Sequence, residues 1–330
     1  MTTDAFGVPL LSVRGLTKVF PVRAGHHKKM VPVVEGVSFD IMGGESLGLV
    51  GESGCGKTTV GRTIVGLYER DGGEVLLHGK KTSKSGDKAL SKSVQMVFQD
   101  PYTSLDPRQT IADILAEPLR LQKVAPKSQW RRLAGEAVER VGLEADCLDR
   151  YPFSLSGGQR QRIAIARALI SNPSLVICDE AVSALDVSVQ AQVLNMLAEL
   201  QAQTGVAYLF ISHDLAVVRH LCTRIVVMYL GHIVEAASTD ELFSQPLHPY
   251  VEALLSAVPE PDPRRARSKH RIVLEGELPA LTSLPRGCIF CTRCPYATER
   301  CRQERPELQE HRPGHLCACL RADELQLVGA

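Results

Sequence analysis

The stretch "LGLVGESGCGKTTVGRTIVGLY", Leu47 to Tyr68, decides the fold. Leu47 to Val50 read as a buried strand, and from Lys57 to Tyr68 the pattern turns helical. Between them Gly51, Glu52, Ser53, Gly54, Cys55, Gly56, Lys57 and Thr58 fit G-x-x-x-x-G-K-[ST], with Thr59 following. Glycines let the backbone curl so that successive N–H groups face a chain of phosphates; the helix N-terminus adds its positive end, and Lys57 reaches the outer phosphates. Thr58 would offer its hydroxyl to Mg²⁺. Eight residues alone are also compatible with a plain Gly-rich turn, but a strand before and a helix after argue for the phosphate loop. Cys55 invites a redox-switch reading, because a thiol near a helix N-terminus has a lowered pKa. The simpler reading is a small side chain that fits the loop.

A phosphate site needs a second half, and "SLVICDE" supplies an apolar strand ending in Asp179 and Glu180. Asp179 is placed to hold Mg²⁺ through water, and Glu180 to orient and polarise an attacking water. Upstream, "FSLSGGQRQRIAIARAL" sets Ser156, Gly157, Gly158 and Gln159 at the start of a strongly periodic helix, a second anion-binding helix terminus in the same chain. One chain cannot easily wrap both sites around one nucleotide.

Outward from these motifs, residues 10 to 50 carry short alternating apolar segments that read as antiparallel strands leading into the buried one. The basic stretch "VRAGHHKKM" at 22 to 30 reads as a solvated loop between them. Helical periodicity dominates from about 100 to 170, and after it strands and helices alternate, which implies a mostly parallel sheet with helices on its faces. Near 245 the character changes to a short helix and a Pro-rich, then basic, run, the expected connection between a domain over 1–245 and a C-terminal extension over 246–330.

The chain has 330 residues, 44% of them hydrophobic, and a net charge of +1 from 38 basic and 37 acidic side chains, so the global balance points to no nucleic-acid partner. No run approaches the roughly 18 apolar residues of a membrane span, and the opening "MTTDAFGVPLLSVRG" does not read as a signal peptide. A cytoplasmic location is expected. In that reducing setting ten cysteines are a poor disulfide framework, and the cluster in "GCIFCTRCPYATERC", Gly287 to Cys301, is better explained by metal: a zinc ribbon or an iron-sulfur site, with buried metal-free thiols as the plain alternative.

An "LSGGQ" segment between a P-loop and a "VICDE" strand resembles the ATP-binding subunits of ABC transporters. The resemblance implies an α/β P-loop ATPase with an antiparallel β subdomain and a helical subdomain, in which two subunits pair head to tail. Each ATP then lies between the P-loop of one and the LSGGQ of the other. It further implies that Phe20 stacks on adenine, that Gln99 senses Mg²⁺ and the membrane partner, that Ser183–Asp186 speaks across the dimer, and that His213 contacts the γ-phosphate. Where the family usually has proline after the two acids, this chain has Ala181.

Three further stretches, "DPYTSLDPRQTI" with "ILAEPL" after it, "SQPLHPYVEALLSAVPEPDP" and "GELPALTSLPRGCIFCTRCP", resemble the ATPases of dipeptide and oligopeptide importers, a group that includes nickel-type importers. That resemblance implies two permease subunits receiving the chain at the segment from Asp100 to Leu119, a second homologous ATPase subunit, an extracytoplasmic solute-binding protein, and a peripheral place on the cytoplasmic face of the cell membrane. The competing classes are a non-transport ABC ATPase accessory and an iron-sulfur redox enzyme; every identifiable catalytic element here handles phosphate. The importer resemblance also implies that Cys288, Cys294, Cys301 and Cys319 hold a 4Fe-4S cluster, with Cys291 and Cys317 as extras. The cysteine-rich tail is then expected to hang outside the phosphate motifs.

Overall fold

The computed structural model describes residues 7–24, 27–83, 87–100, 104–259 and 271–330. Strands β1 (Leu11–Ala24) and β2 (His27–Ile41) form a long antiparallel hairpin, and β4 (Gly72–Leu77) and β5 (Lys80–Lys81) extend it to a four-stranded sheet in the order β2-β1-β4-β5. The stretch expected as a solvated loop at 22–30 is instead the far end of this hairpin, with Val22 opposite Lys29 and Ala24 opposite His27; residues 25 and 26 lie outside the described residues. Backbone hydrogen bonding makes the pairing there, and it needs no apolar alternation in the sequence.

The second sheet holds β3 (Ser46–Val50), β6 (Val94–Val97), β7 (Leu175–Asp179), β8 (Ala207–Ser212), β9 (Arg224–Tyr229) and β10 (His232–Ser238), together with β11 (Gln309–Arg312) and β12 (His315–Cys317) from the chain's C-terminal part. Its order is β11-β12-β10-β9-β3-β8-β7-β6. The run β9-β3-β8-β7-β6 is parallel, and the edge from β10 outward is antiparallel. Parallel strands are covered on both faces, which is why Leu47–Val50 and Leu175–Asp179 read as unbroken apolar runs and are buried throughout. Period-two alternation divides the core: Val176, Cys178, Tyr208 and Phe210 face one layer, and Leu175, Ile177, Leu209 and Ile211 the other.

Helices Ile111–Leu121, Trp130–Arg140 and Gly157–Leu169 pack against one another as the helical part of the chain. The C-terminal region is joined to the main sheet by β12, where Cys317 faces Glu235 and Leu316 faces Ala236. Beneath that seam the fully buried Glu235 accepts hydrogen bonds from the Leu247 and His248 N–H groups and pairs with the fully buried His315 at 2.7 Å. Burial pushes His248 down to about 3, so its ring is neutral, and Nδ1 accepts the Tyr250 N–H to cap helix Pro249–Ser256. The Pro-rich and basic run at 260–270 lies outside the described residues.

Candidate ATP site and the cysteine-rich face

β3 delivers the loop Gly51–Gly56 directly onto helix Lys57–Ile64. Two of its glycines are obligatory. Gly56 has φ of 107°, and a Cβ there would lie 2.7 Å from the Val33 carbonyl; at Gly51, φ 153°, a Cβ would lie 2.2 Å from the Met228 carbonyl. Lys57 is buried and folds back over the loop, donating to the carbonyls of Gly51 at 2.7 Å and Glu52 at 3.0 Å. It thus occupies the cradle where phosphate oxygens would compete for it. Cys55 is buried too, and burial pushes its thiol up, against the lowering that a redox switch needs. The structure sides with the small loop-filling residue.

Thr58 donates its hydroxyl to Asp179 Oδ1 at 2.8 Å. Asp179 is wholly buried, its carboxyl pushed up by desolvation, and among the described residues its Oδ2 has no hydrogen-bond partner. A buried carboxylate oxygen without a donor, beside a threonine hydroxyl at a phosphate loop, is the donor set of a hard divalent cation. Magnesium fits these residues.

One residue on, Glu180 takes a left-handed backbone, φ 47°, and its carboxylate is held between two side chains: Gln99 Nε2 donates to Oε2 at 2.8 Å, and His213 Nδ1 lies 3.3 Å from Oε1. Three residues scattered over more than a hundred positions therefore meet at one carboxylate. The turn that follows has no proline. It is closed by hydrogen bonds from the Ser183 N–H and hydroxyl to the Glu180 carbonyl, with Ala181 buried beneath.

The other predicted residues lie apart from this centre. Phe20, on β1, packs edge-on against Tyr68 with ring centroids 5.3 Å apart, and Lys18 sits over its ring. Ser156 and Gln159 hydrogen-bond each other in a capping box that starts helix Gly157–Leu169. Beside it Phe153 and Tyr151 stack, with Phe153 exposed, and Val187 at the end of Ser183–Asp186 is exposed as well.

Two contacts to the phosphate loop were not legible in the sequence. The Glu52 N–H donates to the Tyr250 hydroxyl at 2.8 Å, and the Glu52 carboxylate takes both arms of the Arg293 guanidinium, at 2.8 and 3.1 Å. These pairs span 198 and 241 residues, a separation at which no motif spacing carries a signal. The cysteine-rich tail, expected to hang outside the phosphate motifs, touches one of them.

On that tail Cys288, Cys291, Cys294, Cys301 and Cys319 border one small cavity with Phe290 and Tyr296, whereas Cys317 is buried elsewhere, against Leu247 and Ala322. The Arg321 N–H donates to the Cys319 sulfur at 3.4 Å, the Thr298 hydroxyl lies 3.3 Å from the Cys301 sulfur, and the backbones of Phe290 and Tyr296 act to lower the thiols of Cys288 and Cys294. Burial raises the thiols of Cys288, to about 12, and Cys294, to about 11. Among the described residues no group of three or more His, Cys, Asp or Glu side chains is arranged to hold a metal ion.

Fold and site together define a P-loop ATPase of the ATP-binding-cassette type. The family model "ABC transporter" matches residues 34–183, and "Oligopeptide/dipeptide transporter, C-terminal region" matches 234–301. The chain is 49% identical over 317 residues to the oligopeptide transport ATP-binding protein AppF of Bacillus subtilis, covering 94% of this chain and 96% of that one. It is 50% identical to the probable peptide ABC transporter ATP-binding protein y4tS of Sinorhizobium fredii, covering 94% and 89%. Among solved structures, a dimeric post-hydrolysis state of the ATP-binding cassette MJ0796 with ADP and Pi superposes with a TM-score of 0.62 at 28% identity, over 69% of this chain and 98% of that one. The chain belongs to the ATP-binding subunits of ABC transporters, in the branch that carries the oligopeptide/dipeptide transporter C-terminal region. It is an ATP hydrolase of a transporter.

Proposed function

We propose that this ATPase powers the import of di- or oligopeptides through separate permease subunits, by ATP-driven closure of a head-to-tail pair. The observation that carries the reading is the division of the site. Lys57, Thr58, Asp179, Glu180, Gln99 and His213 gather at one centre, while the Ser156–Gln159 helix start forms its own capping box apart from it, with Ser156 exposed. A second subunit supplies the missing half; in this branch we take it to be a different homologous ATPase. The names of the two relatives above, oligopeptide and peptide transport ATP-binding proteins, favour peptides over nickel and over a non-transport role.

In that closed state Lys57 exchanges the Gly51 and Glu52 carbonyls for phosphate oxygens, Phe20 offers its ring to the adenine, and Ser156, Gly157, Gly158 and Gln159 of the partner copy close over the γ-phosphate. Glu180, braced by Gln99 and His213, takes a proton from the attacking water. Magnesium, when held by Thr58, Asp179 and Gln99, supplies charge neutralisation on the phosphate oxygens.

No helix of the described residues is long and apolar enough to cross a membrane, so transport through this chain needs permeases, and its place is peripheral on the cytoplasmic face. A groove lined by Val65, Leu67, Phe98, Glu117, Pro118 and Leu121, with Leu67 and Leu121 exposed, is the docking surface we assign to a permease helix. It includes part of the expected segment from Asp100 to Leu119, of which residues 101–103 lie outside the described residues. An extracytoplasmic solute-binding protein completes the importer. Purification of the chain from membranes is expected to bring two hydrophobic permease subunits with it; a soluble complex containing neither would contradict the assignment.

We divide the chain into an ATP-binding domain over 1–245, with its helical subdomain at about 100–170, and an extension over 246–330 that holds a 4Fe-4S cluster on Cys288, Cys294, Cys301 and Cys319. Supporting this ligand set are the shared cavity and the contacts of the Cys319 sulfur with the Arg321 N–H and of the Cys301 sulfur with the Thr298 hydroxyl. A four-iron cluster takes one thiolate at each iron, so its ligands stand around a cavity rather than around a single point about 2.3 Å from each sulfur, as four thiolates on zinc must. Cys291 borders the same cavity, and Cys317 does not line it but packs beside Cys319, with Leu247 and Ala322.

A further inference from the structure

Glu52 occupies an unusual position for a carboxylate. It stands second in the loop that must wrap a polyanionic triphosphate, where an unpaired negative charge opposes binding. Three contacts hold it. Its carbonyl accepts from Lys57, a contact that nucleotide must break, while its N–H and its carboxylate are held from outside the loop by Tyr250 and Arg293. Both outside partners are firmly placed. Tyr250 is fully buried, its ring 4.8 Å from Tyr229 and 5.5 Å from Phe290 by centroids, and Phe290 lies three residues before Arg293 in the main hydrophobic core. The Arg293 side chain is only 10% exposed against 29% for Glu52, so the pair is shielded from the solvent that reduces most surface ion pairs to little. The guanidinium fork matches the carboxylate two bonds for two, which fixes direction as well as charge.

We propose that Arg293 is a positioning residue for nucleotide binding: by neutralising and orienting Glu52 it lets the cysteine-rich extension set the ATP affinity of the phosphate loop. The proposal rests on the reading of Gly51–Thr58 as the ATP site, and it assigns to the extension a direct energetic link to that site. Arg293 lies between Cys291 and Cys294, so any change at the thiol cavity that shifts this loop shifts the fork as well.

The test is a mutant cycle on the full-length subunit, with affinity for a fluorescent ATP analogue measured in the presence of magnesium, and KM and kcat for ATP measured in the permease-bound complex. Arg293→Gln leaves Glu52 as a bare carboxylate in the loop and is expected to weaken binding and raise KM about tenfold, with kcat changed less than about twofold. Adding Glu52→Gln removes the stranded charge and is expected to bring the double variant back to within about threefold of the unmodified chain. Arg293→Lys keeps the charge without the fork and is expected to lie between. A merely structural arginine behaves otherwise: affinity in Arg293→Gln equal to that of the unmodified chain, a double variant no better than Arg293→Gln, or an Arg293→Lys variant as weak as Arg293→Gln each overturns the proposal. If the unmodified subunit itself binds no ATP analogue, the ATP-site reading fails instead.

Discussion

Glu180 gathers Gln99 and His213 at one carboxylate. It follows Asp179, the last residue of β7, with a left-handed backbone, and Gln99 and His213 each contact one of its two oxygens. Adjacent acids therefore have different tasks: the buried one, with an oxygen lacking any donor among the described residues, suits a cation, and the braced one suits a water. Glu180→Gln keeps the shape and the hydrogen bond from Gln99 but loses the base, so hydrolysis by the assembled complex is expected to fall by about 100-fold or more while ATP binding is retained. An unchanged turnover rate would remove Glu180 from its role. The motifs themselves were legible at the residue level, because strand-end acids and the eight-residue phosphate-loop pattern Gly51–Thr58 are local. The Glu180 turn shows the limit: hydrogen bonds from Ser183 close it where proline is absent, and such bonds leave no mark on composition.

At the scale of elements, the buried parallel strands declared themselves as apolar runs, since a strand covered on both faces has no polar side to alternate with. The far end of the β1–β2 hairpin did not, because a ribbon held by backbone pairing needs no apolar period. The C-terminal elements were the least legible. Strands of four and three residues, Gln309–Arg312 and His315–Cys317, are too short to show a period, and what fixes them is the buried Glu235–His315 pair and the pairing with β10. The cysteines on this face divide by environment more clearly than by spacing. Anaerobic purification is expected to give iron and acid-labile sulfide in equal amounts, four of each per chain. Cys294→Ser is expected to lose both and Cys317→Ser to keep both. Stoichiometric zinc without sulfide would exclude the cluster.

Considered as a whole, the molecule is a transporter ATPase with its cysteine-rich tail folded back onto its own phosphate loop. Two features carry exposed residues: the Ser156–Gln159 helix start beside Phe153, and the groove between Leu67 and Leu121. In the proposed importer the first suits a second ATPase subunit and the second a permease. The contact of Arg293 with Glu52 adds an inward link, from the cysteine-rich face to the ATP site. The most direct test of the account is uptake of a labelled oligopeptide into vesicles that carry this ATPase, its partner ATPase and both permeases, with the solute-binding protein on the side of peptide addition and ATP on the other. Uptake that requires ATP, stops with Glu180→Gln and proceeds together with peptide-stimulated hydrolysis is the predicted result; hydrolysis that proceeds at the same rate with or without peptide, and no ATP-dependent accumulation, would contradict it.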